Sequence, residues 1–352
     1  KAKVLEYPPE KAAKICGIPA NEIRRLARDL ASVKPAMLMY TLGITEHTCG
    51  VNNVLSCANL QMLLGNVGFE CAGVNPLRGQ NNVQGACDMG ALPNVFHAYQ
   101  SVANAEIRAK FEKAWNVKDL PAKPGLMIPQ MVEGLAKGEI KAFYLFGENM
   151  ANSEPDIHHM EKTLANTEFL VCQDIFPTET TRFAHVILPA AAWSENDGTF
   201  TSSERRVSRV RTASPPPGEA KPNWWIFKEI ARRFGQNWES NSAQELWDNE
   251  ISVLGPSMAG IRYARLEGDG LQWPVPNTDH PGTSYLHRDR FTAGMGTLVP
   301  VDWTPPAEVP DDEYPLVLST GRRLYQYHTR TQTGRCAGIN DLLPEETADI
   351  SP

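Results

Sequence analysis

Apolar residues in the first part of the chain recur with the spacing typical of amphipathic helices. One such pattern follows a candidate N-cap at Asn21, and Pro35 is expected to end that helix. The same spacing covers residues 51–64, where Gly65 closes the pattern, and it returns at residues 127–137. These three segments are therefore predicted to be helices.

Continuous apolar runs predict strands covered on both faces of a sheet at residues 36–43, 141–147, 168–174 and 184–191. Because these strands alternate with the helices, the predicted fold class is α/β, with open, mostly parallel sheets and flanking helices. Residues 65–94 differ, since they are rich in Gly, Asn and Gln and have little periodicity. A segment of this length and polarity indicates a functional or a disordered loop.

The second part of the chain is more irregular. Residues 195–211 are polar and basic, and residues 214–222 resemble a linker, before an amphipathic helix predicted at 223–235. Residues 255–313 contain many Gly and Pro residues, which predicts an irregular connecting region. An apolar run at 314–324 then predicts a new strand and the start of a new domain.

Composition narrows the class of protein. A length of 352 residues allows two or three domains, and a net charge of −7 argues against a surface devoted to nucleic acid. No apolar run approaches the roughly 18 residues of a transmembrane helix, and the first residues lack the apolar segment of a signal peptide. The seven cysteines form no CxxC pair, which disfavours the usual zinc and iron–sulfur spacings and favours reduced thiols in the cytoplasm. The sequence also lacks an initiator Met, so we expect a piece of a longer chain.

Polar turns directly follow the predicted strands at residues 43–46, 147–149, 173–174 and 320–323. Ligands of open parallel sheets bind outside the carboxyl ends of the strands, so these turns are candidate contacts. For any single turn, ordinary loop chemistry is the simpler interpretation, but the four together favour a nucleotide-like ligand. The chain contains neither GxGxxG nor GxxxxGK(S/T), so a standard NAD or ATP loop is absent.

Arg78 lies in the most distinctive segment, residues 73–90, between Leu77 and Gly79 and ahead of a run of amide side chains. A guanidinium is a planar fork that matches a carboxylate, and a flanking glycine lets the backbone approach a ligand closely. The alternative is a polar Ω-loop packed on itself, with Arg78 in a surface ion pair. Composition alone leaves both interpretations open.

The histidines and the basic run are weaker candidates. No histidine pair has the spacing of a metal site, so no metal ligand is predicted in this chain. His47 and His328 lie beside candidate ligand turns, but a structural role is the default interpretation for both. The basic run at 203–211 could attract phosphate, although a solvated face is the simpler interpretation.

Five segments occur in one order and spacing that resembles a known family: residues 73–93, 144–156, 171–191, 197–211 and 316–331. The resemblance is to the catalytic alpha subunit of formate dehydrogenases in the molybdopterin guanine dinucleotide, or dimethyl sulfoxide reductase, superfamily. The motifs between 141 and 211 are shared with nitrate reductases and indicate only the cofactor class. The RGQNNVQGACDMG stretch beginning at Arg78 is the part specific to formate dehydrogenases, because nitrate reductases carry Thr at that position.

The resemblance implies Rossmann-like α/β halves followed by a C-terminal β-barrel-type cofactor-binding domain. It implies a catalytic role for Arg78, which holds the formate carboxylate beside the metal in the family, and for Gln80 close to the same site. It matches a further set of residues to cofactor contacts, namely Glu46, Gly79, Gly147, Glu148, Asn149, Ser153, Gln173, Asp174, Asn223, Arg322, Arg323 and His328. Within this set, the residues from 147 to 223 match positions that hold a guanosine diphosphate end, and those from 322 to 328 open the C-terminal domain.

The implied cofactor is bis-molybdopterin guanine dinucleotide carrying Mo or W. The family's Cys or selenocysteine metal ligand and its 4Fe-4S cluster lie upstream of residue 1, so this chain alone is expected to be inactive. The implied partners are formate or CO₂ and electron-transfer subunits that are iron–sulfur proteins or are linked to NAD, ferredoxin or a hydrogenase. We also expect a cytoplasmic location, no nucleic-acid partner and no membrane span in this chain.

The implied domain organisation has four parts. They are the end of one α/β molybdopterin domain (1–80), a second α/β domain (81–240) with an excursion at 192–222, the irregular connecting region (241–313) and the truncated start of the C-terminal domain (314–352).

Three positions depart from the family pattern. Position 46 is Glu where many members have Gln, and a carboxylate near a pterin or a metal-bound oxyanion is repelled unless it is protonated or paired. Asn149 and Asn223 are Asp in some members, so guanine recognition by charge is weakened while amide hydrogen bonds stay available. Two alternatives remain open: a nitrate reductase-like oxyanion reductase of the same superfamily, and a cofactor-free ligand-binding or scaffold module of this fold.

Overall fold

The structure, a computed structural model, describes residues 1–350 of the chain. Its α-helices are, in chain order, α1 (Ala2–Leu5), α2 (Pro9–Cys16), α3 (Ala20–Ser32), α4 (Leu42–Thr45), α5 (Gly50–Leu64), α6 (Val83–Asp88), α7 (Ala105–Trp115), α8 (Ile128–Ala136), α9 (Met150–Ser153), α10 (Ile157–Ala165), α11 (Asn223–Arg233), α12 (Ala243–Leu246), α13 (Ser252–Leu254) and α14 (Ala337–Leu342). A π-helical turn at Trp247–Ile251 joins α12 to α13.

The strands are β1 (Met37–Tyr40), β2 (Gly73–Pro76), β3 (Val95–Phe96), β4 (Gln100–Ser101), β5 (Ala142–Phe146), β6 (Phe169–Asp174), β7 (Val186–Pro189), β8 (Gly198–Thr201), β9 (Arg206–Val210) and β10 (Leu271–Gln272). β1 and β2 form a parallel pair, with Met37 opposite Gly73 and Tyr40 opposite Pro76. β5, β6 and β7 form a parallel three-stranded sheet in that order. β8, β9 and β10 form an antiparallel sheet, and β3 pairs with β4. The two parallel sheets with intervening helices confirm the predicted α/β class.

Most of the predicted regular elements form close to the predicted ranges. Three of the four predicted helical patterns, at 51–64, 127–137 and 223–235, become α5, α8 and α11. Gly65 ends α5 in the left-handed conformation, at φ 66°, as expected for a helix C-cap. The apolar runs that predicted β5, β6 and β7 are those strands. Strong periodicity therefore located these elements without tertiary information.

The N-terminal boundaries differ from the prediction. α3 begins at Ala20 and follows Pro19, so Asn21 lies inside its first turn and is not the N-cap. Pro19 is extended, with φ −55° and ψ 138°, and its ring holds φ near the value that the entry to a helix needs. β1 ends at Tyr40, and Gly43 belongs to the short helix α4 rather than to the end of the strand.

Part of the segment predicted as a functional or disordered loop is regular, because β2 and α6 lie within residues 65–94. Gln61 explains the strand. Its buried side-chain amide donates to the carbonyl oxygens of Ala36, at 3.0 Å, and Gly73, at 2.9 Å, and so ties β2 to the start of β1. A contact of this kind has no signature in local hydrophobic periodicity.

The three-stranded sheet is covered mainly on one face. Leu170 and Cys172 of β6 are buried against Met160 and Leu164 of α10. The prediction of strands covered on both faces was wrong here, since the side chain of Phe146 in β5 remains 50% exposed. A continuous apolar run thus identified the strand but not the burial of both its faces.

The second half of the chain departs further from its prediction. Residues 195–211 contain the hairpin of β8 and β9, with Gly198 opposite Val210. The predicted irregular region at 255–313 holds buried apolar residues that pack with Val207 and Trp247 into a second core, namely Met258, Ile261, Tyr263, Leu266 and Val275. These side chains sit in 3-10 turns and loops, so no helix or strand period marks them.

The strand predicted at 314–324 does not form. Leu316, Val317 and Leu318 are 71%, 76% and 89% exposed, and no strand of residues 1–350 lies beside them to complete a ladder. A strand needs a partner for its backbone N–H and C=O groups, so apolar composition alone was not sufficient.

Buried His97 predicts a loss of stability in mild acid. The residue is 5% exposed and packs edge-on against Phe111, with ring centroids 5.2 Å apart. Burial, and then the charge of Lys110, lower the pKa of His97 from 6.5 to about 4. The unfolded chain therefore binds a proton near pH 6.5 that the folded chain binds only near pH 4, so stability falls as pH drops through this window.

The expected loss across that window is at most about 3 kcal/mol. Substituting His97→Gln in the complete protein should flatten the profile of urea midpoints measured between about pH 7 and about pH 4. The exposed His159→Gln is the matched control and should leave the profile unchanged. A profile equally steep in His97→Gln would contradict the assignment.

Candidate functional site

Charged side chains from both parallel sheets converge on the segment 322–335. Glu46 follows β1 and α4, and Glu148 follows β5. Partial burial and, next, the charge of Arg322 lower the pKa of His328, and the two carboxylates oppose this with smaller effects. Glu46, Glu148 and Arg322 therefore lie close enough to His328 for their charges to affect its protonation.

Asn149 anchors the 322–335 segment to the three-stranded sheet. Its buried Nδ2 donates to Glu179 Oε2 and to Thr331 Oγ1, each at 2.8 Å. Its Oδ1 accepts from the backbone N–H of Thr180 at 3.2 Å and from its hydroxyl at 2.8 Å. The amide is therefore fully used by the protein, and it docks the candidate cofactor segment.

The fold brings Gln173 and Asn223 together, and their side-chain amides form a hydrogen bond with each other. Gln173 is 1% exposed, accepts a hydrogen bond from Tyr144 Oη, and donates from Nε2 to Asn223 Oδ1 at 2.8 Å. The same pairing places the start of α11 beside the end of β6. Among residues 1–350, the Nδ2 group of the half-buried Asn223 has no hydrogen-bond partner.

Gly147, Glu148 and Ser153 form the accessible part of this region. Gly147 has φ 62°, and nothing lies within 4 Å of the position that a Cβ would take. Ser153 Oγ donates to the Asn149 carbonyl at 2.8 Å and lies 3.2 Å from Glu148 Oε1. An open glycine turn beside a carboxylate and a hydroxyl suits a sugar or purine edge, so these residues fit a nucleotide-bearing cofactor.

Asp174 and Arg323, two further predicted cofactor contacts, form hydrogen bonds within the protein. Asp174 ends β6 and accepts from the backbone N–H of Ile175 at 2.7 Å, and burial raises its pKa against the opposing charge of Arg335. Arg323 donates to the Thr347 hydroxyl, so it is turned towards the C-terminal segment. His47 bonds the Gly43 carbonyl within its own turn, at 2.9 Å.

Arg78 borders a second region, an open cleft of about 370 Å³. The cleft is lined by the turn that contains Arg78, Gly79 and Gln80, by Ser203 of the β8–β9 connection and by Arg206, the first residue of β9. The backbone N–H of Arg78 donates to Ser203 Oγ at 3.0 Å, and its Nε donates to Gln84 Oε1 at 3.2 Å. The surface ion pair of the alternative interpretation is not formed with any carboxylate of residues 1–350, which leaves an exposed guanidinium able to bind an anion.

A buried polar network beneath this cleft was missed by the sequence analysis. Gln84 donates to Asp88 Oδ1 at 2.7 Å, and Tyr99 and Trp273 donate to the same carboxylate at 2.9 Å and 2.7 Å. The spacing of Gln84 and Asp88 is i, i+4 on α6, which is a usable sequence signal. Trp273 comes from 185 residues further along, so nothing local marked it.

The basic run at 203–211 is neither a free phosphate site nor a fully solvated face. Arg206 pairs with Glu204, and Arg209 and Arg211 both pair with Glu267. The Arg209 guanidinium also lies 4.5 Å from the centre of the Tyr263 ring. Arg209 and Arg211 therefore link the hairpin to the residue that follows the turn Tyr263–Leu266, whereas Arg206 pairs within the hairpin.

Within residues 1–350 no group of three or more His, Cys, Asp or Glu side chains converges where a metal ion could bind. The described helices include none that is long and apolar enough to cross a membrane. The seven cysteines are all free thiols.

The docking role of Asn149 predicts a specific effect of charge. Asn149→Asp would place a carboxylate against Glu179, with its donor lost, and should cost about 1–3 kcal/mol of local stability. Trypsin cleavage after Arg330 and Arg335 in the complete protein should become about tenfold faster. Adding Glu179→Gln should restore part of the protection, because it supplies a donor in place of the repelling charge. Equal cleavage rates in wild type and Asn149→Asp would contradict the anchor.

Comparisons with known proteins give one consistent picture. The profile of the family described as "Molybdopterin oxidoreductase" matches residues 6–233. The "F420-dependent formate dehydrogenase subunit alpha" of Methanocaldococcus jannaschii is 45% identical, over 100% of this chain and 52% of that protein. "Formate dehydrogenase H" of Escherichia coli is 41% identical, over 97% of this chain and 49% of that protein. The chain therefore spans about half the length of the curated relatives it matches.

A solved structure agrees at the level of the fold. "Acetylene Hydratase from Pelobacter acetylenicus" superposes with a TM-score of 0.55 at 19% identity, over 77% of this chain and 39% of that one. At this identity the likeness concerns the fold alone.

Proposed function

This chain belongs to the molybdopterin oxidoreductase family, and from that premise we propose that it is part of the catalytic alpha subunit of a formate dehydrogenase, or CO₂ reductase. The observation that carries the proposal is Arg78, an exposed guanidinium with no carboxylate partner among residues 1–350, at a cleft shared with Gln80. Relatives that are 41–46% identical are formate dehydrogenase alpha subunits or formate dehydrogenase H by name.

Arg78 would bind and orient the substrate. Formate is a one-carbon carboxylate, and a guanidinium meets its two oxygens with two parallel N–H···O bonds. Gln80, on the same turn, can add one amide hydrogen bond without adding charge. These two residues select a small planar anion, while Ser203 accepts a hydrogen bond from the backbone N–H of Arg78 and so holds the turn in place.

A bis-molybdopterin guanine dinucleotide with Mo or W would supply the two-electron redox chemistry when bound. Gly147, Glu148 and Ser153 are the accessible groups for one guanosine end, and the half-buried Asn223 offers an amide beside them. Arg322 and His328 offer positive charge and a ring donor near the strand ends. Gly79 leaves open space at the Arg78 turn, so a ligand can approach the backbone there.

The remaining assignments extend the proposal. Asn149 and Gln173 act as internal supports, Asp174 and Arg323 as peripheral contacts, and Glu46 must be protonated or paired beside an anionic group. Electrons would leave through a 4Fe-4S cluster and partner subunits outside this chain. The domain boundaries at residues 80, 240 and 313 belong to the same proposal. A cytoplasmic location suits the seven free thiols.

Two measurements on the complete protein test this proposal. Pterin and metal content separates an oxidoreductase from a scaffold, because a scaffold of this fold holds neither. A substrate panel separates formate from nitrate as the natural anion. A protein that contains pterin but reduces nitrate and leaves formate untouched would refute the substrate assignment and leave the family assignment standing.

A further inference from the structure

Asp88 is a fully buried carboxylate beneath the Arg78 cleft for which the proposed function has no use. Its side chain forms no ion pair among residues 1–350, and its relative exposure is 0%. Three hydrogen bonds meet this carboxylate directly, from Gln84 and Tyr99 at Oδ1 and from Trp273 at Oδ2. Burial raises the pKa of Asp88, and these hydrogen bonds and the nearby charge of Arg78 lower it. Such a carboxylate can only accept hydrogen bonds, so every neighbour must turn a donor towards it.

Gln84 lies between Asp88 and Arg78. Its Nε2 donates to Asp88 Oδ1 at 2.7 Å and to Tyr99 Oη at 2.8 Å. Its Oε1 therefore faces the other way and accepts from Arg78 Nε at 3.2 Å. Because an amide has one donor end and one acceptor end, the acceptor-only carboxylate determines which end meets the arginine.

This contact decides which edge of Arg78 is available. A guanidinium can grip a carboxylate with its Nε edge or with its two terminal nitrogens. Gln84 occupies Nε, so the terminal pair remains for an anion in the cleft. We propose that Asp88 is a positioning residue that acts through Gln84 to present the terminal edge of Arg78 to bound formate. The inference rests on the proposed function.

Asp88→Asn should reverse this arrangement. Trp273 still needs an acceptor, so the new amide would turn its NH₂ group towards Gln84. The Gln84 side-chain amide must then rotate by half a turn. Its NH₂ group would face the Nε–H of Arg78, so that two donors oppose each other and the hydrogen bond is lost. In the complete enzyme we expect KM for formate to rise about tenfold, with a smaller change in kcat.

A double-mutant cycle separates positioning from general stability. Gln84→Leu removes the intermediary and should raise KM by a similar factor. Adding Asp88→Asn to Gln84→Leu should then raise KM less than twofold, since the hydrogen-bond path from Asp88 to Arg78 runs through Gln84. Asp248→Asn, which removes a carboxylate bonded to the Tyr263 backbone in the second core, is the control and should leave KM unchanged. Effects that multiply in the double variant would overturn the inference.

A binding readout keeps the test independent of turnover. Phenylglyoxal, an arginine-selective reagent, modifies Arg78 in the complete protein, and formate should protect it, as followed by peptide mapping. Protection in Asp88→Asn should require about tenfold more formate than in wild type. Equal protection in both would overturn the positioning role while the formate site stands. Absence of protection in wild type would overturn the formate site and the inference together.

Discussion

Replacing Arg78 by Lys is expected to lower kcat/KM for formate by about 10- to 100-fold in the complete enzyme. Lys keeps the positive charge but replaces a planar fork by a single point donor. It also lacks the Nε–H that donates to Gln84 Oε1, so Gln84 no longer orients the side chain at position 78. We expect KM to rise, because a bound carboxylate loses one of two hydrogen bonds, and kcat to fall, because the remaining contact no longer aligns it.

The control for this change is Arg211→Lys, at the residue that directly follows β9. Arg211 is half exposed and pairs with Glu267, away from the lining of the cleft. Its substitution should leave steady-state formate kinetics unchanged. A kcat/KM that is the same in Arg78→Lys as in wild type would remove Arg78 from the substrate site.

Met258→Ala is expected to cost about 2–5 kcal/mol of local stability. Met258 is 0% exposed and packs with Ile261, Leu266 and Val275 in a region that has the composition of an irregular loop. Truncation leaves a cavity that the surrounding 3-10 turns cannot close without losing contacts with Val207 and Trp247. If residues 255–276 were only a connecting segment, the same truncation would have almost no effect.

Hydrogen–deuterium exchange of the complete protein measures this effect locally and does not require two-state unfolding. Backbone amides of residues 258–266 should exchange faster in Met258→Ala, by the factor that corresponds to the expected loss of local free energy of unfolding. Val253→Ala, at a side chain that is 64% exposed, is the matched control and should exchange as wild type does. Unchanged protection in Met258→Ala would contradict the second core.

The elements that could be predicted are those whose burial follows a period. Helical spacing of apolar residues predicted α5, α8 and α11, and continuous apolar runs predicted strands β5 to β7. β8 and β9 do not, because Val207 is the only fully buried side chain of β9, between arginines and a serine. Residues 314–324 show the reverse case, an apolar run without a strand.

The candidate site divides in the same way. The expectation that the turns after β1, β5 and β6 hold ligand contacts stays a prediction, although Glu46 and Glu148 both act on the pKa of His328. Sequence could not show that Gln173 and Asn223 satisfy each other, because their pairing joins residues 50 positions apart. The Asp88 network was invisible for a similar reason, since Trp273 reaches it from a loop without any period.

The most direct test of the central claim is formate-dependent reduction of a viologen dye by the complete native subunit, with nitrate-dependent oxidation of the reduced dye run beside it. We expect reduction with formate that is lost or strongly weakened in Arg78→Lys, and no turnover with nitrate. Nitrate turnover without formate turnover, or formate turnover indifferent to Arg78, would contradict it.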